Sequence, residues 1–312
     1  MHLCRRKRLY GQAGQYQKIS EHGKSMDVSV GHSKKDSESI EMELLLSAIS
    51  KCYGYDFSKY AQSTITRRLK RRACIEGFEC VSDMISRLIY EQEFAFKVVE
   101  DFSITVTSFF RNEYFYQVMR SKVVPFLKTF PFFKVWFAGC CTGEEVYSMA
   151  IVLHEEGIYD RARLYATDIN HNALASAREG IYPIKKIDSA KKAYKKSGGS
   201  SNLDKYFYCR YNSAIVSPTI ARNITFAAHN LVSDGIFGEM QVIVCRNVLI
   251  YFNRELKIEV IKLLKNSLHP GGFLCIGDKE SLTGMTKPEE FTLFERKAKI
   301  YKLNQSCYRQ SL

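Results

Sequence analysis

The run Lys134–Ser148, KVWFAGCCTGEEVYS, reads as an apolar strand, a glycine turn and the opening of a helix in direct succession. Val135, Trp136 and Phe137 suit a buried strand. Gly139 and Gly143 bracket Cys140, Cys141 and Thr142, small side chains that let backbone N–H groups come close to a bound molecule. Glu144 and Glu145 then fall in the first helical turn, where the helix dipole favours negative charge. The spacing is G-x-x-x-G, which is neither G-x-G-x-x-G nor a Walker loop. Two carboxylates at its mouth would repel a phosphate and favour a cation or a sugar hydroxyl.

A second apolar strand, Leu164–Ile169, places Asp168 at its carboxyl end, where an acid typically holds ribose hydroxyls. One cofactor satisfies both segments: S-adenosylmethionine carries an adenosine ribose, no phosphate and a positive sulfur. The structural alternative, a capped helix after a strand with no ligand, leaves the paired acids and the strand-end Asp168 without a role.

At 312 residues and 46% hydrophobic content the chain can bury one large core or two modest ones. No apolar run reaches membrane-span length, and the basic N-terminus lacks the apolar stretch of a signal peptide, so a soluble cytoplasmic protein without membrane insertion is expected. Ten cysteines are scattered, with no C-x-x-C and no His cluster at ligand spacing, so no metal is expected and most should be small buried hydrophobes. Cys140 and Cys141, adjacent in the turn, are candidates for oxidation. A net charge of +13 points to acidic partners without choosing among them.

Residues 1–40 are polar and basic without a period, and are expected to form a disordered tail. From 41 to 103 the apolar spacing predicts three or more short amphipathic helices, broken at Gly54 and Gly77. From 104 to 312 strands near 134–138, 163–168, 223–228, 240–245 and 272–277 alternate with helices, which predicts a doubly wound, mostly parallel sheet. The turn at His269–Gly272 should lead into the last of these, and 291–294 with 299–303 should close the sheet as an antiparallel pair. Residues of about 190–223, opening with the basic run KKAYKKSGGSSN, are expected to form a small inserted β subdomain.

Further polar groups stand where strands should end. Met240–Phe252, MQVIVCRNVLIYF, carries Arg246, Asn247 and Tyr251; ITFAAHN ends in His229 and Asn230, before Leu231; and ITVTSFFR brings Thr105, Thr107 and Arg111 to the domain junction. In order, SITVTSFFR, WFAGCCTGEEVYS, ATDIN with ALASAREGIY, AHNL, CRNVLIYF and HPGGFLCIGDKESL resemble the CheR family, which methylates glutamates of chemotaxis receptors with S-adenosylmethionine. The resemblance spans residues 42–303 and implies a Rossmann-like methyltransferase domain behind a small all-α domain.

Carried over by position, the resemblance assigns Thr105, Thr107, Arg111, Gly139, Glu144, Glu145, Asp168, Asn230, Leu231, Arg246 and Asn247 to cofactor binding. Arg111 and Tyr251 would lie nearest the transferred methyl. Arg67, Arg68, Lys70, Arg71 and Arg72, a basic run that is by default a solvated helix face, would dock the acidic cytoplasmic helices of a methyl-accepting receptor. A receptor tail would bind at the inserted sheet, and the enzyme would be recruited to membrane receptors. The family usually has Asn at Thr105, Ser at Cys141, Pro at Val146 and His-Ser at Asp278 and Lys279; the last departure changes charge at a strand end. Two competitors remain: a non-catalytic S-adenosylmethionine-binding regulatory module, and a nucleic-acid methyltransferase, against which stands the lack of a D/N-P-P-Y/F motif. No nucleic-acid partner is expected.

Overall fold

Four helices open this computed structural model, which describes residues 34–102 and 107–305: α1 (Lys34–Tyr53), α2 (Gln62–Glu76), α3 (Met84–Tyr90) and α4 (Gln92–Phe102). Helix α1 starts at Lys34, ahead of the expected 41. Its Met42, Leu45, Leu46 and Ile49 recur at helical spacing and are buried against Ile65 and Leu69 of α2 and Phe94, Val98 and Phe102 of α4. Gly77 stops α2 in the left-handed conformation, φ 79°, with its N–H donating back to Ala73 and Cys74 carbonyls.

Helix α5 (Glu113–Val118), a π-helical turn at Met119–Val123 and α6 (Val124–Leu127) lead into β1 (Phe133–Ala138). Helix α7 (Glu144–Glu155), β2 (Ala162–Asp168) and α8 (His171–Glu179) follow. An insertion holds β3 (Ile181–Pro183), α9 (Ile184–Lys196), β4 (Phe207–Arg210) and β5 (Ser213–Val216). After α10 (Pro218–Ala221) the chain completes its main sheet with β6 (Ile224–Ala228), β7 (Met240–Cys245), α11 (Arg254–Asn266), β8 (Leu268–Ile276), β9 (Phe291–Glu295) and β10 (Ile300–Leu303).

The main sheet has the order β6-β2-β1-β7-β8-β10-β9, parallel from β6 to β8 and antiparallel at β10. From β1 the chain winds outward to β6 and then returns to the other side through β7, so a crevice opens above β1 and β7 at their carboxyl ends. Side chains of β1 alternate between the two faces: Val135 and Phe137 pack with α7, while Trp136 and Ala138 pack with α11. Strand β8 begins at Leu268, so His269, Pro270 and Gly271 lie inside it, next to a register shift against β7.

The insertion departs from the expected outline at its near end. Its sheet, ordered β3-β5-β4 and antiparallel, takes its first strand from Ile181, and KKAYKK is the end of α9. Ile187, Ala190 and Tyr194 of that helix are buried on the core beneath the main sheet, which outweighs the basic composition of the remaining residues. Among the described residues no helix is long and apolar enough to cross a membrane. Eight described cysteines are free, and of these Cys140, Cys245 and Cys275 are buried, fewer than the composition suggested, because Cys52, Cys74 and Cys209 sit on outward faces.

Candidate active site

Three strand ends meet at the crevice and line one cavity. Strand β1 delivers Gly139, Cys140, Cys141 and Glu145; β2 delivers Asp168; β7 delivers Arg246 and Asn247, with Tyr251 beyond them. Thr107, Arg111, His229, Asn230 and Leu231 complete the rim. The helical domain supplies the opposite wall through Phe57, Tyr60, Val99 and Phe102. Tyr60 forms a β-bridge with Phe252, and the Ala61 N–H donates to the Tyr251 carbonyl at 2.8 Å.

The turn after β1 holds itself rather than offering its amides. Gly139 and Cys140 N–H groups donate to the Thr167 carbonyl at 2.8 and 2.9 Å, Gly143 N–H to the Cys140 carbonyl, and Cys141 N–H to Asp168 Oδ2 at 2.8 Å. These four amides are therefore unavailable to a phosphate, in contrast to the expectation that they would approach the ligand. Gly139 is required twice over: its φ is 81°, and a Cβ would stand 2.5 Å from Val248 Cγ2. Phe110, Cys141 and Asn247, all at or beside the cavity, also hold positive φ of 53°, 53° and 61°. Such backbone strain is tolerated where surrounding bonds over-determine it.

Asp168 Oδ1 accepts from the Asn170 N–H at 2.9 Å, so both carboxylate oxygens are oriented by backbone while the group faces the cavity. Burial raises its carboxyl above the ordinary value, and the amides of Asn170, Cys141 and Ile169 pull it back. Arg246 pairs with Glu145, Nη1 to Oε1 at 2.8 Å, and not with Asp168; it also reaches the Arg111 carbonyl at 3.3 Å and lies over the Phe115 ring at 4.4 Å. Its buried Nε, like Nδ1 of His229, has no hydrogen-bond partner. Burial, then Asp168, pushes the Cys141 thiol up to about 12, and Cys140 is also raised well above its usual value; both are thiols at neutral pH, poorly suited to oxidation.

Among the described residues, one assigned residue does not join the cavity. Thr105 lies outside the described residues. Glu144 is fully buried and turned away, accepting from Thr142 Oγ1 at 2.6 Å and pairing with Lys186, because the first position of α7 points toward the insertion. Arg67, Arg68, Arg71 and Arg72 lie on α2 outside the cavity, and Arg72 is bound to Asp101 and Glu76, with Arg68 Nη1 donating to the Asp101 carbonyl. Arg67 and Arg71 are exposed. Asp278 and Lys279 are exposed as well, off the cavity.

One structural residue carried no signal of its own in the sequence. Glu280, 5% exposed, accepts from the amides of Gly277 at 2.5 Å, Asn247 at 3.0 Å and Ile250 at 3.2 Å, and so fastens the segment that bears Asn247 and Tyr251 to the end of β8. Burial raises its carboxyl above the ordinary value, and the bound amides act against that rise without cancelling it.

A switch-point crevice, a turn closed to phosphate and an oriented acid facing the cavity fit S-adenosylmethionine, and they define the cofactor half of a methyltransferase that uses it. Comparison with known proteins narrows this class. Residues 105–299 match the family described as CheR methyltransferase, SAM binding domain, and residues 40–103 the family described as CheR methyltransferase, all-alpha domain. A Pseudomonas putida protein named Cher3 is 38% identical, with 84% of this chain and 96% of the relative covered. Chemotaxis protein methyltransferase Cher2 of the same organism is 26% identical over 79% of this chain and 91% of its own length. Chemotaxis protein methyltransferase 1 of Pseudomonas aeruginosa is 25% identical over 82% and 94%. The chain belongs to the CheR methyltransferase family, and its cofactor is S-adenosylmethionine.

Proposed function

We propose that the protein transfers methyl groups from S-adenosylmethionine to glutamate side chains of methyl-accepting chemotaxis-type receptors, leaving glutamyl methyl esters. The observation that carries this function is that Arg111 and Tyr251 line the same cavity as the turn after β1. Burial raises the Tyr251 phenol above the ordinary value, Arg68 and Arg111 oppose that rise, and Glu280 and Cys141 add to it, so the hydroxyl feels both guanidiniums, that of Arg68 from outside the cavity. Such a corner accepts an anion. A glutamate carboxylate is that anion, and it is already a nucleophile at neutral pH.

When bound, the cofactor supplies a methyl group on a positive sulfur. Asp168 would accept from its ribose hydroxyls, and Asn230 and Leu231 would border the base. Glu145, anchored by Arg246, would face the methionine end. Arg111 would orient the incoming carboxylate by a charge-assisted bond, with the Tyr251 hydroxyl completing its alignment. The helical wall formed by Phe57, Tyr60, Val99 and Phe102 lines the same cavity and would exclude water from the path of transfer. No general base is needed, because the nucleophile carries no proton to remove.

The decisive experiment incubates the protein with methyl-labelled S-adenosylmethionine and the organism's own membrane fraction, then treats the product with alkali. Label on receptor-sized protein, released as methanol and lost in Asp168→Ala, is the expected result. Cofactor binding without any transfer would assign the chain instead to a regulatory module, and alkali-stable label on nucleic acid would replace the substrate class.

A further inference from the structure

The inserted sheet touches the cofactor turn through polar groups as well as through packing. Glu144, fully buried at the start of α7, receives Thr142 Oγ1 at 2.6 Å and Lys186 Nζ at 2.5 Å. Lys186 belongs to α9 of the insertion, and its side chain is 44% exposed, so the pair joins a buried carboxylate to a cation that reaches in from the surface. Tyr182 of β3 donates its hydroxyl to the Thr142 carbonyl at 2.5 Å. The same hydroxyl would lie 3.2 Å from a Cβ placed at Gly143, so insertion and turn are in close contact. Phe109, two residues before Arg111, packs edge-on against Tyr182 and Phe207 with ring centres 4.9 and 5.4 Å apart. Two segments of the cavity wall thus rest on the insertion.

We propose that Lys186 and Tyr182 are positioning residues for the cofactor site, holding the 139–144 turn in its binding geometry without touching the cofactor. Neither side chain lines the cavity. Their effect travels through the turn. Without Lys186 the Glu144 carboxylate keeps one hydroxyl donor and the amino end of α7, a poor exchange for a buried charge. Its relief is to move outward toward water, which draws Gly143 and Thr142 with it and pulls Cys141 away from Asp168, the residue whose carboxylate the turn orients. Because the bonds are shared, a displacement of β3 or α9 changes cofactor affinity, and cofactor binding resists that displacement to the same degree.

The test titrates S-adenosylhomocysteine into the full chain by calorimetry, a readout that involves no receptor and is independent of the methyl acceptor proposed above. Lys186→Met is expected to raise Kd about tenfold, the loss of a partly exposed ion pair passed on to the turn. Lys186→Arg should stay within about twofold, and Glu144→Gln combined with Lys186→Met should recover most of the affinity, since no charge is then left stranded. Tyr182→Phe keeps the ring and removes one hydrogen bond, for an expected rise of about threefold. Unchanged Kd in Lys186→Met overturns the ion-pair route, as does a double variant that binds as weakly as the single one. Should Lys186→Met fail to fold, Tyr182→Phe decides, and an unchanged Kd there overturns the proposal.

Discussion

Asp168 is an acid whose surroundings make its charge conditional on pH. Cys140 and Cys141 face it from the turn and Tyr60 from the helical domain, and burial raises all three, so none of them gains charge near neutrality. Glu145 in the same cavity is also raised by burial, against the pull of Arg246 and Arg111. In the proposed binding mode ribose hydroxyls need the ionised Asp168 carboxylate as acceptor, so the bound state favours loss of the proton. Affinity for S-adenosylhomocysteine should therefore weaken as pH falls below neutral, earlier than an ordinary aspartate would dictate. Asp168→Asn should bind weakly throughout and lose the larger part of that slope, with Glu145 supplying the remainder; calorimetry across the range checks both. The sign for stability is opposite. A raised carboxyl binds its proton more tightly in the folded chain than in the unfolded one, so Asp168, Glu145 and Glu280 each withdraw stability as pH rises through their raised values.

Glu280 shows how one side chain can set the geometry of a whole element. Glu280→Ala leaves the amides of Gly277, Asn247 and Ile250 facing one another without an acceptor. That should cost about 3 kcal/mol in denaturant unfolding, the sum expected for buried donors stripped of a shared partner. Glu280→Gln keeps an acceptor and should lose less, while both variants weaken the cofactor through Asn247. Nothing in GDKESL marks this role, because three exposed-looking polar residues surround it and only the turn of the backbone directs Glu280 inward. Strands β1, β2 and β7 were legible for the converse reason: buried on both faces, they read as near-continuous apolar runs with a polar residue at the carboxyl end. Helix α9 was hidden by six lysines, although Ile187, Ala190 and Tyr194 keep helical spacing. Pro270 and two glycines resemble a turn and so mask the start of strand β8; the register shift against β7 is what accommodates them.

Across the whole molecule, the helical domain forms one wall of the cavity and also carries the basic helix. Asp168, Asn230, Arg246 and Asn247 stand out in the sequence because each falls at or just past a strand end, but Phe57, Tyr60, Val99 and Phe102 belong to apolar helix faces, and spacing alone cannot say that such a face meets another domain. Their contact brings α2 to the cavity lip, since the helix begins just after Ala61, which is bonded to Tyr251. Of its basic run, Arg72 is committed to Asp101 and Glu76, so Arg72→Met should lower the melting temperature of the protein. Arg67 and Arg71, one turn apart and exposed, are the pair suited to an acidic receptor helix. Replacing both with serine should slow methyl transfer to receptor membranes about tenfold at low salt, mainly through the apparent KM for receptor. Because exposed charges act through water, the deficit should narrow as salt is raised, and the affinity for S-adenosylhomocysteine should not move. Full-speed transfer by the doubly substituted protein at low salt would remove α2 from receptor docking and direct the search for the acceptor surface to the inserted sheet.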